Sequence, residues 1–587
     1  MKVASGPKER PSVPGHLTPR QRGSLVLLFA LAAFAAVTYG PALRMPFIAD
    51  DYVFLDRTMW AKFVDLWSRN NAVLRWYRPW SRELHFWAIQ HVVGPSPVAF
   101  RLVGLVLWVA VLFLYREFLR TFLSSTDCLL ATIAVASLAI WGTPLLWISG
   151  SQDLWMLALG LAFLLLVAKR HDLAALPFLV LALLSKETAA IFCLLALAYM
   201  LLVAGDRWGK ALRRTVPYAL ITTLWLAWHP TLWLRVTSRM PDPELVNRPS
   251  QVAIATRNVL ATANLSLIPH PAEVSGMDVL AALVSAAILV CAMDLARRFG
   301  DEEPSSDSPT RAAHRPAFLG LWAVLGWLPS HAPSVGWHAY YGALGALAVW
   351  PAIVLVLRTR PKVLTLLVAT MALLRAAEAK TPSWDWGNEW YLRRAGTLLS
   401  GVKERLLAEH PTLPPYTRVY FARLPNNIGL VAGRSAALRV WYRDSTLDAD
   451  FNSNYQPRSS ARPRGQDLFF RFDTLQVLTE VKAGPENVES ARRLNPEWED
   501  DHTKLAMLFL RAGQPALAAE EFEKIAQIPA HAQSILFAGA CRELAGQNRR
   551  ADSLYARYGS RVGVSADSVR RLADTLKAAA PLPKNHS

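Results

Sequence analysis

Apolar runs of about 20 residues, the length that crosses a bilayer core as a helix, alternate with short polar stretches through the first 378 residues. They fall at roughly 24–40, 98–119, 128–145, 152–168, 172–185, 187–204, 215–234, 277–296, 316–330, 337–357 and 361–378. Eleven such runs predict a mainly α, polytopic membrane helix bundle. The run at 172–185 is the most marginal, and without it the topology of everything downstream would invert.

Beyond about residue 379 the pattern changes. Residues 416–472 hold strand-like pieces, Thr417–Phe421, Ala437–Tyr442 and Leu468–Phe472, separated by Pro, Gly and Asn turns, which predicts a small soluble α/β or α+β module. Farther on, Gly513, Ala518 and Phe522 recur as Gly546, Ala551 and Tyr555, and Pro496 as Pro529, each displaced by 33 residues. That period resembles tetratricopeptide-like helical repeats, in which small residues let paired helices approach and aromatics fill the gap. Such repeats usually make protein contacts, and a purely structural lid is the alternative. The expected organisation is a basic tail at 1–23, a membrane domain at 24–378 with a long polar loop at 41–97, a soluble module at 379–475, and repeats at 476–587.

The 587-residue chain is 53% apolar with a net charge of +18, and its mean hydropathy is +0.21. In a soluble protein that charge would point to nucleic acid. Here the basic residues fall in alternate loops: Arg116 and Arg120, Lys169 and Arg170, Arg207 to Arg214, Arg297 and Arg298, and Arg358 to Lys362. By the positive-inside rule these loops and the N-terminus are cytoplasmic. Loop 41–97, the loops near Ser149–Gly150, Ser185–Glu187 and Ser330–Gly336, and the whole tail then face outward. The first apolar run has no convincing cleavage site before Pro41 and is read as a retained span. A bacterial inner membrane is the favoured setting. The four cysteines show neither disulfide nor metal spacing.

Candidate chemistry collects on the outward side. Asp50–Asp51 begins the polar loop, and Trp60, Phe63, Val64 and Trp67 follow helical spacing, so 52–68 is expected to form an interfacial amphipathic helix. A carboxylate there could equally cap that helix. Downstream, Arg75-Trp-Tyr-Arg78-Pro79-Trp-Ser-Arg82 places Pro79 at the first turn of a second helix, with Arg78, Arg82 and His85 near its positive end. That arrangement suits a phosphate, and snorkelling interfacial arginines are the competing explanation. Asp153, Lys186 and Glu187 are charges close to hydrocarbon, where ionisable groups are functional or paired. His331, His338, Tyr340 and Tyr341 could touch a sugar or pyrophosphate, or form an aromatic belt, and His229 has the same ambiguity. There is no P-loop, dinucleotide fingerprint, His-Glu-x-x-His or Gly-x-Ser-x-Gly. Charges cluster at one face and not at mid-span, which disfavours an ion carrier.

The segments Phe47-Ile48-Ala49-Asp50-Asp51-Tyr52, Tyr77-Arg78-Pro79, Trp147 to Asp153 and Leu184-Ser185-Lys186-Glu187-Thr188 resemble the GT-C class of integral-membrane glycosyltransferases. The likeness is to the branch related to protein O-mannosyltransferases and fused to tetratricopeptide repeats. It covers most of the membrane half. It implies a polyprenyl-phosphate sugar donor, an acceptor hydroxyl on the outward face, Asp51 as base with Asp50 as its partner or the reverse, and Arg78, Arg82 and Lys186 on the departing phosphate. His85, Asp153, Glu187, His338 and Tyr340 would be further substrate contacts. Some relatives use a divalent metal, Mg or Mn, at the acidic residue, for which only the Asp pair speaks here. Expected partners are the donor, membrane lipids and a protein bound through the repeats, with no nucleic acid. Where relatives carry an Arg-Tyr contact, this chain has His338-Ala-Tyr340-Tyr341. The competing functions are a non-catalytic envelope scaffold and a lipid-linked glycan flippase or polymerase.

Overall fold

The computed structural model describes residues 19–68, 76–230, 250–266, 275–299, 309–331, 337–382, 387–422, 435–451, 465–472, 478–481, 499–511, 513–527 and 532–580. Residues 1–18 of the basic tail 1–23, Arg75, residues 231–234 of the seventh run, Pro333, Gly336, Pro496 and Pro529 lie outside them.

The chain is mainly α and forms an integral membrane helix bundle. Its helices in the first half are α1 (Pro19–Tyr39), α2 (Asp50–Met59), α3 (His85–Val93), α4 (Pro97–Leu119), α5 (Ser125–Ala136), α6 (Gly142–Leu146), α7 (Ser151–Ala168), α8 (Asp172–Leu183), α9 (Ile191–Leu202) and α10 (Trp208–Trp228). There follow α11 (Gln251–Ala261), α12 (Gly276–Phe299), α13 (Pro309–Trp327), α14 (Ala343–Leu357), α15 (Pro361–Ala379) and α16 (Glu389–Glu409). Among the described residues, five helical stretches are long and apolar enough to span on their own: Leu25–Ala42, Pro97–Leu119, Ile148–Ala168, Gly276–Arg298 and Ala339–Leu357. The other expected runs are shorter, less apolar or broken helices. Trp108, Trp141, Trp322 and Trp350 are fully buried in the core between them. Helices α7 and α9 approach so closely that a Cβ at Gly160 would lie 2.0 Å from the Phe192 ring.

The run expected as one helix over 128–145 is instead a pair, 125–136 and 139–146, bent by 60°. A break frees backbone polar groups that lipid cannot satisfy. Asn264 supplies the partners: its amide donates to the carbonyls of Ser137 and Met371, and its carbonyl oxygen accepts from Ala139 N–H at 2.7 Å. It does so from a left-handed backbone conformation, φ 52°, which Asn tolerates better than most residues. Asn264→Ala takes the partner from Ala139 N–H and Ser137 O, while Met371 O keeps its place within α15, and is expected to destabilise the chain by about 1–3 kcal/mol for each group left unpaired. A thermal-shift assay in detergent reads that loss, and Asn264→Asp restores only the bond to Ala139.

The expected helix over 52–68 is two pieces, α2 and a 3₁₀ turn at Phe63–Trp67. Asp65 accepts from Lys62 N–H and starts the turn afresh, while the Trp87 indole takes the Ala61 carbonyl. Phe63 and Val64 remain exposed, and Leu66 is the buried position.

After the bundle, β1 (Arg418–Ala422), α17 (Ala436–Tyr442), β2 (Asp448–Phe451), β3 (Asp467–Phe472) and β4 (Leu478–Glu480) form a sheet of order β2-β1-β3-β4. Ala437–Tyr442, expected as a strand, is helix α17. The pairing explains it: β1 and β2 are parallel, so the chain between them must cross over, and crossovers are usually helical. Helix α17 also packs on α2, where Trp441 Nε1 donates to Tyr52 Oη at 3.0 Å and Arg439 pairs with Asp56 at 3.2 Å.

The chain closes with α18 (Glu499–Arg511), α19 (Pro515–Ile525), α20 (Ala532–Leu544), α21 (Asn548–Val562) and α22 (Ala566–Ala579). Gly513 and Gly546 make equivalent left-handed turns, φ 70° and 76°. Ala518 and Ala551, with Phe522 and Tyr555, are buried at matching places.

Candidate functional site

Helix α2 starts on Ala49, whose φ of 45° turns the chain so that two carboxylates enter the first helical turn. They have different surroundings. Asp51 is fully buried: one oxygen accepts from the N–H and hydroxyl of Ser149 at 2.8 and 2.6 Å, the other from Ile48 N–H at 3.1 Å. Asp51 is therefore the carboxylate that secures the helix start, and it ties the 148–150 turn to it. Asp50 is partly exposed. Burial pushes its carboxyl up to about 6, against the opposing pull of Arg82 and Arg78. Burial likewise raises Asp51 to about 6, against its bonds from Ser149 and Ile48.

Pro79 opens the next helical segment as expected. Its first turn, Pro79–Leu84, is wound as a π-helix before α3 continues. That turn is fixed to the loop after α8: Ser81 Oγ donates to Ser185 O at 2.7 Å, and Trp80 N–H to Leu184 O at 3.3 Å. Arg78 thereby meets residues far along the chain. Its guanidinium grips Glu187 through Nε and Nη2, the shortest contact 2.5 Å, and gives Nη1 to Gln152 Oε1 at 2.8 Å. His229 Nε2 lies 3.5 Å from the same Glu187. Lys186 Nζ pairs with both oxygens of Asp153, at 2.5 and 2.7 Å, with the Tyr340 and Tyr341 rings 5.3 and 4.8 Å away. Burial lowers the Lys186 ammonium below its usual value, opposed by Asp153. His338 stacks on Tyr340 with ring centroids 5.8 Å apart.

Arg82 and His85 turn inward from this cluster. Arg82 is 2% exposed, bonds Glu83 at 2.5 Å and the Trp76 carbonyl at 2.8 Å, and lies over the Phe54 ring. His85 accepts from the Trp155 indole at 3.2 Å, and burial lowers it to about 4, so it is neutral near pH 7.

The structure thus gathers Arg78, Asp153, Lys186, Glu187, Tyr340 and His338 into one cluster, and of these Arg78 acts on Asp50. It also brings in Tyr341 and His229, which the sequence left between substrate contact and aromatic belt, and adds Gln152, which was not singled out as a contact. Gln152 stood next to Asp153 in the same polar loop, and that adjacency was the available clue. Among the described residues no three His, Cys, Asp or Glu side chains converge as metal ligands.

No family model matches the chain, and no curated protein sequence matches it. Two crystal structures are similar to it. ArnT from Cupriavidus metallidurans in the apo state has 17% identity and a TM-score of 0.37, over 73% of this chain and 84% of that one. The same protein bound to undecaprenyl phosphate has 15% identity and a TM-score of 0.35, over 72% and 84%.

Proposed function

We propose that the chain is a membrane glycosyltransferase of the GT-C kind, moving a sugar from a polyprenyl-phosphate donor to an acceptor hydroxyl on the outward face. The observation that carries this reading is the pairing of Asp50, a partly exposed carboxylate under the field of Arg78 and Arg82, with the Arg78–Lys186 cluster at the same end of the bundle. The N-terminus is cytoplasmic, the C-terminal domain is extracytoplasmic, and the membrane is a bacterial inner membrane. The last five helices are tetratricopeptide-like and offer a protein-contact surface.

Glycosyl transfer needs a proton removed from the acceptor while negative charge grows on the leaving phosphate. Asp50 is the base. The surroundings favour it over Asp51, whose two oxygens already accept three hydrogen bonds. Arg78 and Lys186 receive the phosphate, which takes over donors now given to Glu187, Gln152 and Asp153. Those acceptors keep two buried cations aligned before the donor arrives. Arg82, held by Glu83, contributes its field and no direct contact. Attack from the side opposite the phosphate inverts the anomeric centre, and a single carboxylate suffices.

A base must be ionised to act. With Asp50 near 6, kcat/KM is expected to level off above that pH and fall about tenfold per unit below it. A pH profile flat down to pH 5 would rule Asp50 out as the titrating base. The reading as a whole is tested by incubating the chain in nanodiscs with a panel of labelled polyprenyl-phosphate hexoses and extracted envelope acceptors. Label leaving the lipid phase only with active protein is the expected result, and no movement with any donor opposes it.

A further inference from the structure

A polar cavity elsewhere in the bundle shares no residue with the proposed transfer site. It occupies about 160 Å³ between the end of α1, the start of α12, the end of α15 and the start of α16. One water needs about 10–15 Å³ by the same kind of measure, so the space admits a group several times larger. Its walls are small, with Ala281 and Ala282 on one helix and Ala372 and Ala376 on another, which is why the helices leave a gap.

Three cations line it, Arg375, Lys380 and Arg393, against two carboxylates, Asp278 and Glu389. Glu389 bridges Arg375 at 3.0 Å and Arg393 at 2.7 Å, while Lys380 pairs with Asp278 at 3.1 Å. Glu378, next to Lys380 on the same stretch of chain, also acts on Arg375 and balances the third cation, so what remains unmet is a donor. Arg375 is 5% exposed, and among the described residues its Nε has no hydrogen-bond partner. A buried donor of that kind costs stability unless something accepts from it.

Depth identifies what that acceptor belongs to. The membrane-length helices Leu25–Ala42 and Gly276–Arg298 end and begin here, so the cavity sits at headgroup level. Beside it on α12, Leu280 and Leu283 are about half exposed, at 52% and 53%, and face the surroundings as lipid-contacting side chains would. We infer that this cavity binds the phosphate headgroup of a membrane lipid, with Arg375, Lys380 and Arg393 as donors and the acyl chains along α12.

The test is native mass spectrometry of the full chain with three probes: dioleoylphosphatidylglycerol, dioleoylglycerol and inorganic phosphate. Phosphatidylglycerol should be retained, dioleoylglycerol should not, and inorganic phosphate should bind far more weakly. Lys380→Gln with Arg393→Gln should weaken phosphatidylglycerol retention by about tenfold or more, because two charge-assisted bonds are removed. Asp278→Asn keeps a capping side chain yet frees Lys380, and it should tighten retention, a gain that misfolding cannot mimic. Retention untouched by these substitutions overturns the site. Equal binding of dioleoylglycerol overturns the phosphate contact, and equal binding of inorganic phosphate overturns the lipid.

Discussion

Replacing Asp50 by Asn should lower sugar transfer by about 10²–10⁴-fold, the range a positioned general base contributes, while the protein still purifies folded and still binds the donor. Asn keeps the size of the side chain and removes only its capacity to take the proton. The companion change separates the two neighbours. Asp51→Asn turns an amide toward a site where Ser149 and Ile48 supply three donors, leaving at least one unpaired and costing about 1–3 kcal/mol. Its signature is a lowered unfolding midpoint, with activity loss following from the displaced 148–150 turn. Transfer rate and thermal shift measured on both variants distinguish base from anchor. Comparable melting of Asp50→Asn and Asp51→Asn, with comparable residual activity, would contradict the assignment.

The second large effect belongs to Glu187→Gln. Glu187 and Arg78 are 11% and 14% exposed, and removing one member of a buried ion pair typically costs about 3–5 kcal/mol because the other charge is stranded. Gln152 still accepts from Arg78 through one nitrogen, so the loss should fall toward the lower part of that range. Adding Arg78→Gln should recover part of the stability, since no uncompensated charge then remains, yet it should not recover transfer. Such a split between folding and activity is what a cation held ready for phosphate predicts. If the double variant is as unstable as the single one, the pair is not the source of the loss.

Much of the membrane half is legible from hydropathy, because lipid forces apolar side chains outward and backbone bonds inward. Where the sequence pattern misled, a long-range partner decided the outcome. Ala437–Tyr442, ending Val-Trp-Tyr, has the residue types of a strand, and only the parallel pairing of β1 with β2 makes it a crossover helix. The apolar run 128–145 reads as continuous, and its break is tolerated because Asn264 arrives from more than 100 residues away. The site follows the same logic. The residue types and their loops could be read directly, but Arg78 finds Glu187 109 residues downstream, and no spacing rule announces that pairing. Asp50 and Asp51 are indistinguishable as a dipeptide. Ser149, 98 residues on, turns one into an anchor and leaves the other to face the cations. Arg82 shows the reverse: its partner is its immediate neighbour, Glu83, and helical alignment with Arg78 concealed that.

The most direct test of single-carboxylate transfer is the anomeric configuration of the first product. With a donor of known anomeric configuration, the one-bond carbon–proton coupling at the new linkage reports the outcome by NMR before any later reaction. Direct displacement assisted by Asp50 predicts a product of opposite configuration to the donor, formed by the wild-type chain and absent with Asp50→Asn. A product that retains the donor's configuration, or one formed equally by the variant, would contradict it.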